Sequence, residues 1–97
     1  MYGTVAKIRV KKGALEALKK FSEAESGAGM SGYRGQVVYQ MDRDPDEIYL
    51  VVIFDSREAY FANAESPEQH ARYLEMMKLL EGEPEWNDGK VIFSEFA

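Results

Sequence analysis

The chain is expected to fold as an α+β domain of βαββαβ order, with helices covering one side of a four-stranded antiparallel sheet. Three observations predict it. Apolar residues recur at strand period in four separate stretches, helical periodicity follows the first and third of them, and residues 48–54, "IYLVVIF", are apolar on both faces.

The first strand is residues 2–10, with Tyr2, Thr4, Ala6, Ile8 and Val10 on one face and Val5, Lys7 and Arg9 on the other. Residues 13–25 then set Leu15, Leu18 and Phe21 along one side of a helix, away from Lys19, Lys20 and Glu23. Residues 33–41 return to strand period, with Tyr33, Val37, Tyr39 and Met41 opposed to Arg34, Gln36 and Gln40. The acidic run 42–47, "DRDPDE", reads as the turn of an antiparallel hairpin whose second strand is 48–54. Its alternating aspartates imitate the opening of a calcium loop. The glycine and glutamate such a loop needs at its sixth and twelfth places are Glu47 and Ile53 here, so no metal is expected.

A short helix is predicted over 55–66, where Asp55 stands three residues before Glu58 in capping-box spacing. A longer one follows over 66–82, with Ser66 as N-cap, Pro67 at the first helical position, Gln69 completing a second box and Gly82 as the stop. Its stripe reads His70, Tyr73, Leu74, Met77 and Leu80 or Glu81. Residues 89–96 form the last strand. Right-handed crossovers put the helices of this ferredoxin-like order on one side of the sheet. All 97 residues are read as a single domain. The other side of the sheet is left bare, yet Ile48, Leu50, Val52 and Phe54 make one face of 48–54 apolar and Tyr49, Val51 and Ile53 the other, so a second copy of the chain is expected to cover whichever of the two the helices leave.

"GAGMSG", residues 27–32, has the spacing G-x-G-x-x-G of a dinucleotide-binding turn. Pyrophosphate binding needs a strand before these glycines and a helix after them. Here the helix comes first and the strand second, so a plain helix-to-strand connection with no nucleotide is expected.

Seventeen acidic against twelve basic residues give a formal charge of -5, which repels nucleic acid and anionic membrane surfaces. The early lysines fit a strand end and a solvated helix face. With no cysteine, disulfides, iron–sulfur clusters, thiolate zinc sites and cysteine nucleophiles are excluded together. Without an apolar run of membrane-spanning length or a signal-like segment, the expected location is cytoplasmic. The serines lack any nucleophile-elbow setting, and one histidine makes a poor metal site.

The stretches "GYRGQVVYQMDRDPDEIYLVVIFDSREAY" and "SPEQHARYLEMMKLLEGEPEW" resemble the antibiotic biosynthesis monooxygenase family. The resemblance implies two sheets paired as a dimeric α+β barrel and a ligand pocket between sheet and helices. It also implies chemistry that ranges from cofactor-free oxygenation of aromatic molecules to haem degradation. Many relatives carry a segment like H-x-x-S-P-H; the Ser-Pro falls on Ser66 and Pro67, while its histidine positions hold Asn63 and Glu68. Against the haem-degrading branch, the axial histidine position falls on Tyr73 and the pocket tryptophan on Asn63. Haem degradation is therefore not expected, although tyrosine can ligate haem iron.

The resemblance leaves cofactor-free oxygenation as the leading activity and a non-catalytic small-molecule binder or accessory protein on the same scaffold as the alternative. An oxygenase without a cofactor needs a dry pocket, a base and donors for a developing oxyanion. The catalytic candidates are Asn63, His70 and Tyr73, and the substrate-binding candidates are Tyr33, Tyr39, Met77 and Trp86. Imidazole ordinarily titrates near neutral pH, which suits His70 as the base, though a histidine in the first turn of a capped helix also suits plain solvent. Tyr73 and Met77 at helical spacing equally suit a core, and Trp86 suits a pocket lid or an interface anchor.

Overall fold

The computed structural model describes residues 1–25 and 30–97. Its elements are β1 (Tyr2–Arg9), α1 (Leu15–Glu25), β2 (Tyr33–Met41), β3 (Asp44–Phe54), α2 (Arg57–Ala64), α3 (Pro67–Met77) and β4 (Asp88–Lys90). The strands form one antiparallel sheet of order β2-β3-β1-β4, the ferredoxin-like arrangement. The first three residues of "GAGMSG" lie outside the described residues. Gly32, at its end, turns the chain into β2 with a φ of 78°. A Cβ there would also come within 2.7 Å of the Ala59 Cβ, so the position requires glycine twice over.

β1 keeps its expected alternation: Thr4, Ala6, Ile8 and Val10 are buried, and Val5, Lys7 and Arg9 are exposed. The buried set meets Leu18 from α1, Ile48 from β3, Met76 from α3 and Leu80 just beyond it, which together form the core. Two aromatic residues of α2, Tyr60 and Phe61, pack against Tyr2 at the far end of β1. No helix among the described residues is long and apolar enough to cross a membrane.

Four local expectations are corrected. The acidic turn shrinks to Asp42 and Arg43, because Asp44 already pairs with Met41. Pro45, Asp46 and Glu47 then bulge out of the β2–β3 ladder, since proline has no N–H to give it, while Glu47 still pairs with Arg9 of β1. The N-cap of α2 is Ser56, whose hydroxyl accepts the Ala59 N–H at 3.1 Å; Asp55 instead pairs with Arg34 at 3.1 Å. α3 stops at Met77 rather than Gly82. Its next residues are taken up by the end of β1, where Leu79 O accepts from Lys11 N and Arg9 O accepts from Glu81 N. The last strand spans only Asp88–Lys90, and residues 91–97 carry Ile92, Phe93 and Phe96 at 92, 78 and 79% exposure.

A bulge in β2 decides which side chains share a face. Tyr33 pairs with Phe54 and Gly35 with Ile53, so Arg34 is an extra residue. After it, Gln36 opposes Val52 on the helix side, while Val37 and Tyr39 oppose Val51 and Tyr49 on the bare side.

Candidate functional site

Between the helix-bearing face of the sheet and the three helices lies a cavity of about 420 Å³. Its floor is Leu50, Val52 and Phe54 of β3, with Tyr33 and Gln36 of β2 beside them. α1 contributes Phe21 and α2 contributes Tyr60, Phe61 and Asn63. α3 contributes Gln69, His70, Arg72, Tyr73 and Met76, and Trp86 and Asp88 complete the lining.

The face α3 turns inward differs from the expected stripe. Tyr73 and Met76 pack inward while Leu74 is 50% exposed, so the buried line runs along 69, 72, 73, 76 and 80. The capping box explains part of this. Ser66 Oγ accepts the Gln69 N–H at 3.1 Å as expected, but the Gln69 side chain does not reach back to Ser66. Its Oε1 accepts instead from Asn63 Nδ2 at 3.3 Å and from Arg72 Nε at 3.2 Å. Arg72 Nη2 also donates to Asn63 Oδ1 at 3.3 Å, which closes a ring of three side chains across the α2–α3 junction.

Five of the seven candidates meet in this cavity: Asn63, His70, Tyr73, Tyr33 and Trp86. Asn63 is the most fixed, held on both amide ends. The Tyr73 ring stands 6.3 Å from the Trp86 ring, and Trp86 keeps 44% exposure at the edge. His70 touches the cavity but is largely exposed. Two candidates fall elsewhere. Tyr39 is 52% exposed on the opposite face of the sheet, because the Arg34 bulge shifts the alternation of β2. Met77 packs against the core from outside the cavity, and Met76 takes the inward place.

Tyr60, Arg72 and Asp88 escaped the sequence reading, and Gln69 entered it only as part of a cap. Tyr60 donates to Asp88 Oδ1 at 2.7 Å. Partial burial, and then this bond to a carboxylate, push its phenol well above the ordinary range. The available signal was helical spacing: Tyr60, Asn63 and Ala64 on α2, and Gln69, Arg72, Tyr73 and Met76 on α3, each form one stripe. Among the described residues no cluster of His, Asp and Glu has the form of a metal site.

A family model described as antibiotic biosynthesis monooxygenase matches residues 1–75. A solved structure from Chloroflexus aurantiacus J-10-fl that carries the same family name is 25% identical, with a TM-score of 0.78 over 98% of this chain and 96% of that one. A namesake from Nitrosomonas europaea is 18% identical, with a TM-score of 0.76 over 96% of this chain and all of the other (100%). SnoaB, a cofactor-independent oxygenase from Streptomyces nogalater solved as a mutant, is 10% identical, with a TM-score of 0.81 over 96% and 94%. At those two lower identities the likeness is one of fold. No curated protein matches the chain by sequence.

Proposed function

This chain belongs to the antibiotic biosynthesis monooxygenase family, and on that premise we propose that its cavity carries out a cofactor-independent oxygenation of a small aromatic or quinol-like molecule. The observation behind the proposal is the cavity lining. Apolar and aromatic walls meet a short row of polar groups on α2 and α3, the combination that orients a flat organic molecule and keeps water from it.

In the proposed reaction a methylene flanked by aromatic rings, and conjugated through them to a carbonyl, loses a proton to His70. The carbanion passes one electron to dioxygen, and recombination gives a carbon-bound peroxide. Loss of water leaves a carbonyl, so one oxygen atom stays in the product and the other departs as water. Asn63 keeps one amide hydrogen beyond the one given to Gln69, and it would serve with the Tyr73 hydroxyl as donor to the enolate oxygen. Tyr33 and Trp86 would hold the ring system.

We further propose a homodimer in which two bare sheet faces meet. Val5, Val37, Tyr39, Val51 and Ile53 make that face apolar, and leaving each large side chain in water forgoes roughly 1.5–3 kcal/mol. The exposed tail 91–97 lies along the same face, where a partner would give it something to cover. We also propose a cytoplasmic location and, because a net charge of -5 repels polyanions, no nucleic-acid or anionic-membrane partner.

The second reading is a binder without catalysis. It draws support from the exposure of His70 and from the two hydrogen bonds that occupy the Asn63 amide. Oxygen uptake in air with anthrone-like and quinol substrates separates the two. Wild-type uptake that falls about a hundred-fold in Asn63→Ala or Tyr73→Phe supports the oxygenase. Uptake untouched by either change removes these residues from the mechanism, and no uptake with any substrate leaves the binder.

A further inference from the structure

The five arginines of the chain have different partners. Arg9 pairs with Asp44 and Glu81, Arg34 with Asp55 and Arg43 with Glu47. Arg57 lies over the Phe61 ring at 4.8 Å. Arg72 alone lines the cavity, and among the described residues no carboxylate lies within 4.0 Å of it.

What holds Arg72 is neutral. Its Nε and Nη2 donate to the amide oxygens of Gln69 and Asn63, which fix the guanidinium plane and leave its charge uncompensated. A guanidinium has five N–H donors, so roughly three remain for another acceptor. The carboxylate in the described lining, Asp88, is on β4 and accepts the Tyr60 hydroxyl. A fixed cation with spare donors beside aromatic walls is poorly matched to a wholly apolar ligand. It is well matched to an anionic oxygen, which such a fork receives in two parallel hydrogen bonds.

We propose that Arg72 anchors an anionic oxygen, so that the ligand of this cavity is a planar aromatic molecule bearing a carboxylate or an ionised hydroxyl. The inference rests on the cavity reading above and adds the charge of its occupant. An acidic hydroxyl would be drawn into its ionised form by the same cation, which is the electron-rich form that reacts with dioxygen.

Calorimetric titration tests this with three probes of one shape: 2-naphthoate, neutral 2-naphthamide, and 2-naphthol below and above its own ionisation pH. The wild type is expected to bind at least one anion roughly ten-fold or more above naphthamide, the scale of a hydrogen bond to a charged group. Preference for naphthoate identifies a carboxylate site, and preference confined to ionised naphthol identifies a hydroxylate site. Arg72→Gln should bind naphthamide as the wild type does and lose the preference, and Arg72→Lys should keep part of it. If the wild type binds all forms alike, or if the preference survives in Arg72→Gln, the anchor is refuted while the aromatic cavity stands. If none of the probes binds, both fall. The wild-type comparison needs no variant to fold.

Discussion

The Tyr60 hydroxyl lies 2.7 Å from Asp88 Oδ1 and donates to it, tying α2 to the short strand β4 across the rim of the cavity. The phenol titrates above its ordinary value of 10.0, chiefly through burial and secondly through Asp88. A group whose folded value is raised stabilises fully below the unfolded value and loses that contribution as pH climbs past it. Wild-type melting temperature should therefore fall more steeply above about pH 10 than that of Tyr60→Phe. At neutral pH the variant should be less stable by about 0.5–1.5 kcal/mol. Parallel alkaline limbs for the two proteins would disprove the linkage.

The acid limb has a different origin. Hydrogen bonding from Arg9, and then from the Asp46 N–H, holds the Asp44 carboxyl below the usual range. A depressed folded value stabilises above the unfolded value and is lost as pH falls through the folded one. Arg9→Gln should melt below the wild type at pH 7, and the gap should close as the pH drops below the ordinary carboxyl value of 3.8. Thermal melts across that span decide it.

Gly3 is fixed by its neighbour rather than by its dihedral angles. A Cβ at this position of β1 would strike the Val52 carbonyl of β3. Gly3→Ala should cost roughly 1–3 kcal/mol in urea unfolding. A neutral outcome would mean the two central strands part more easily than this packing implies.

Val51 and Ile53 share the bare face with Val37 and Tyr39. Light scattering at micromolar concentration should give about twice the chain mass of 11.0 kDa. Val51→Glu should yield monomer or aggregate. A stable wild-type monomer would overturn the paired-sheet proposal.

Much of the fold was legible because single faces were strongly patterned. Thr4, Ala6, Ile8 and Val10 alternate without interruption, and Ser66 announces its helix through a cap that forms as read. Where two demands met at one residue, local rules failed. Gln69 suits a capping box, yet its side chain goes to Arg72 one turn along α3 and to Asn63 across a helix junction that no sequence spacing encodes. Leu79 and Leu80 prolong the helical pattern, but the Leu79 carbonyl and the Glu81 N–H go to the end of β1 instead. Asn63, His70, Tyr73, Tyr33 and Trp86 reached the cavity, whereas Tyr39 missed it because alternation cannot be counted through a bulge that leaves no mark in composition.

That bulge decides how the chain can vary in length. With Arg34 present, Tyr33 faces inward together with Gln36, three positions away, and Val37 faces out. Deleting Arg34 would restore plain alternation, with Tyr33, Gly35 and Gln36 consecutive and still opposite Phe54, Ile53 and Val52. Drawing Arg34 into the ladder instead would turn over the segment before it or the segment after it, carrying Tyr33 out of the cavity or Val37 and Tyr39 into it. A relative one residue shorter here would therefore keep the same faces. A gap-free comparison drawn across residues 33–36 of a relative that lacks the extra residue would match cavity positions to surface ones without any visible mismatch.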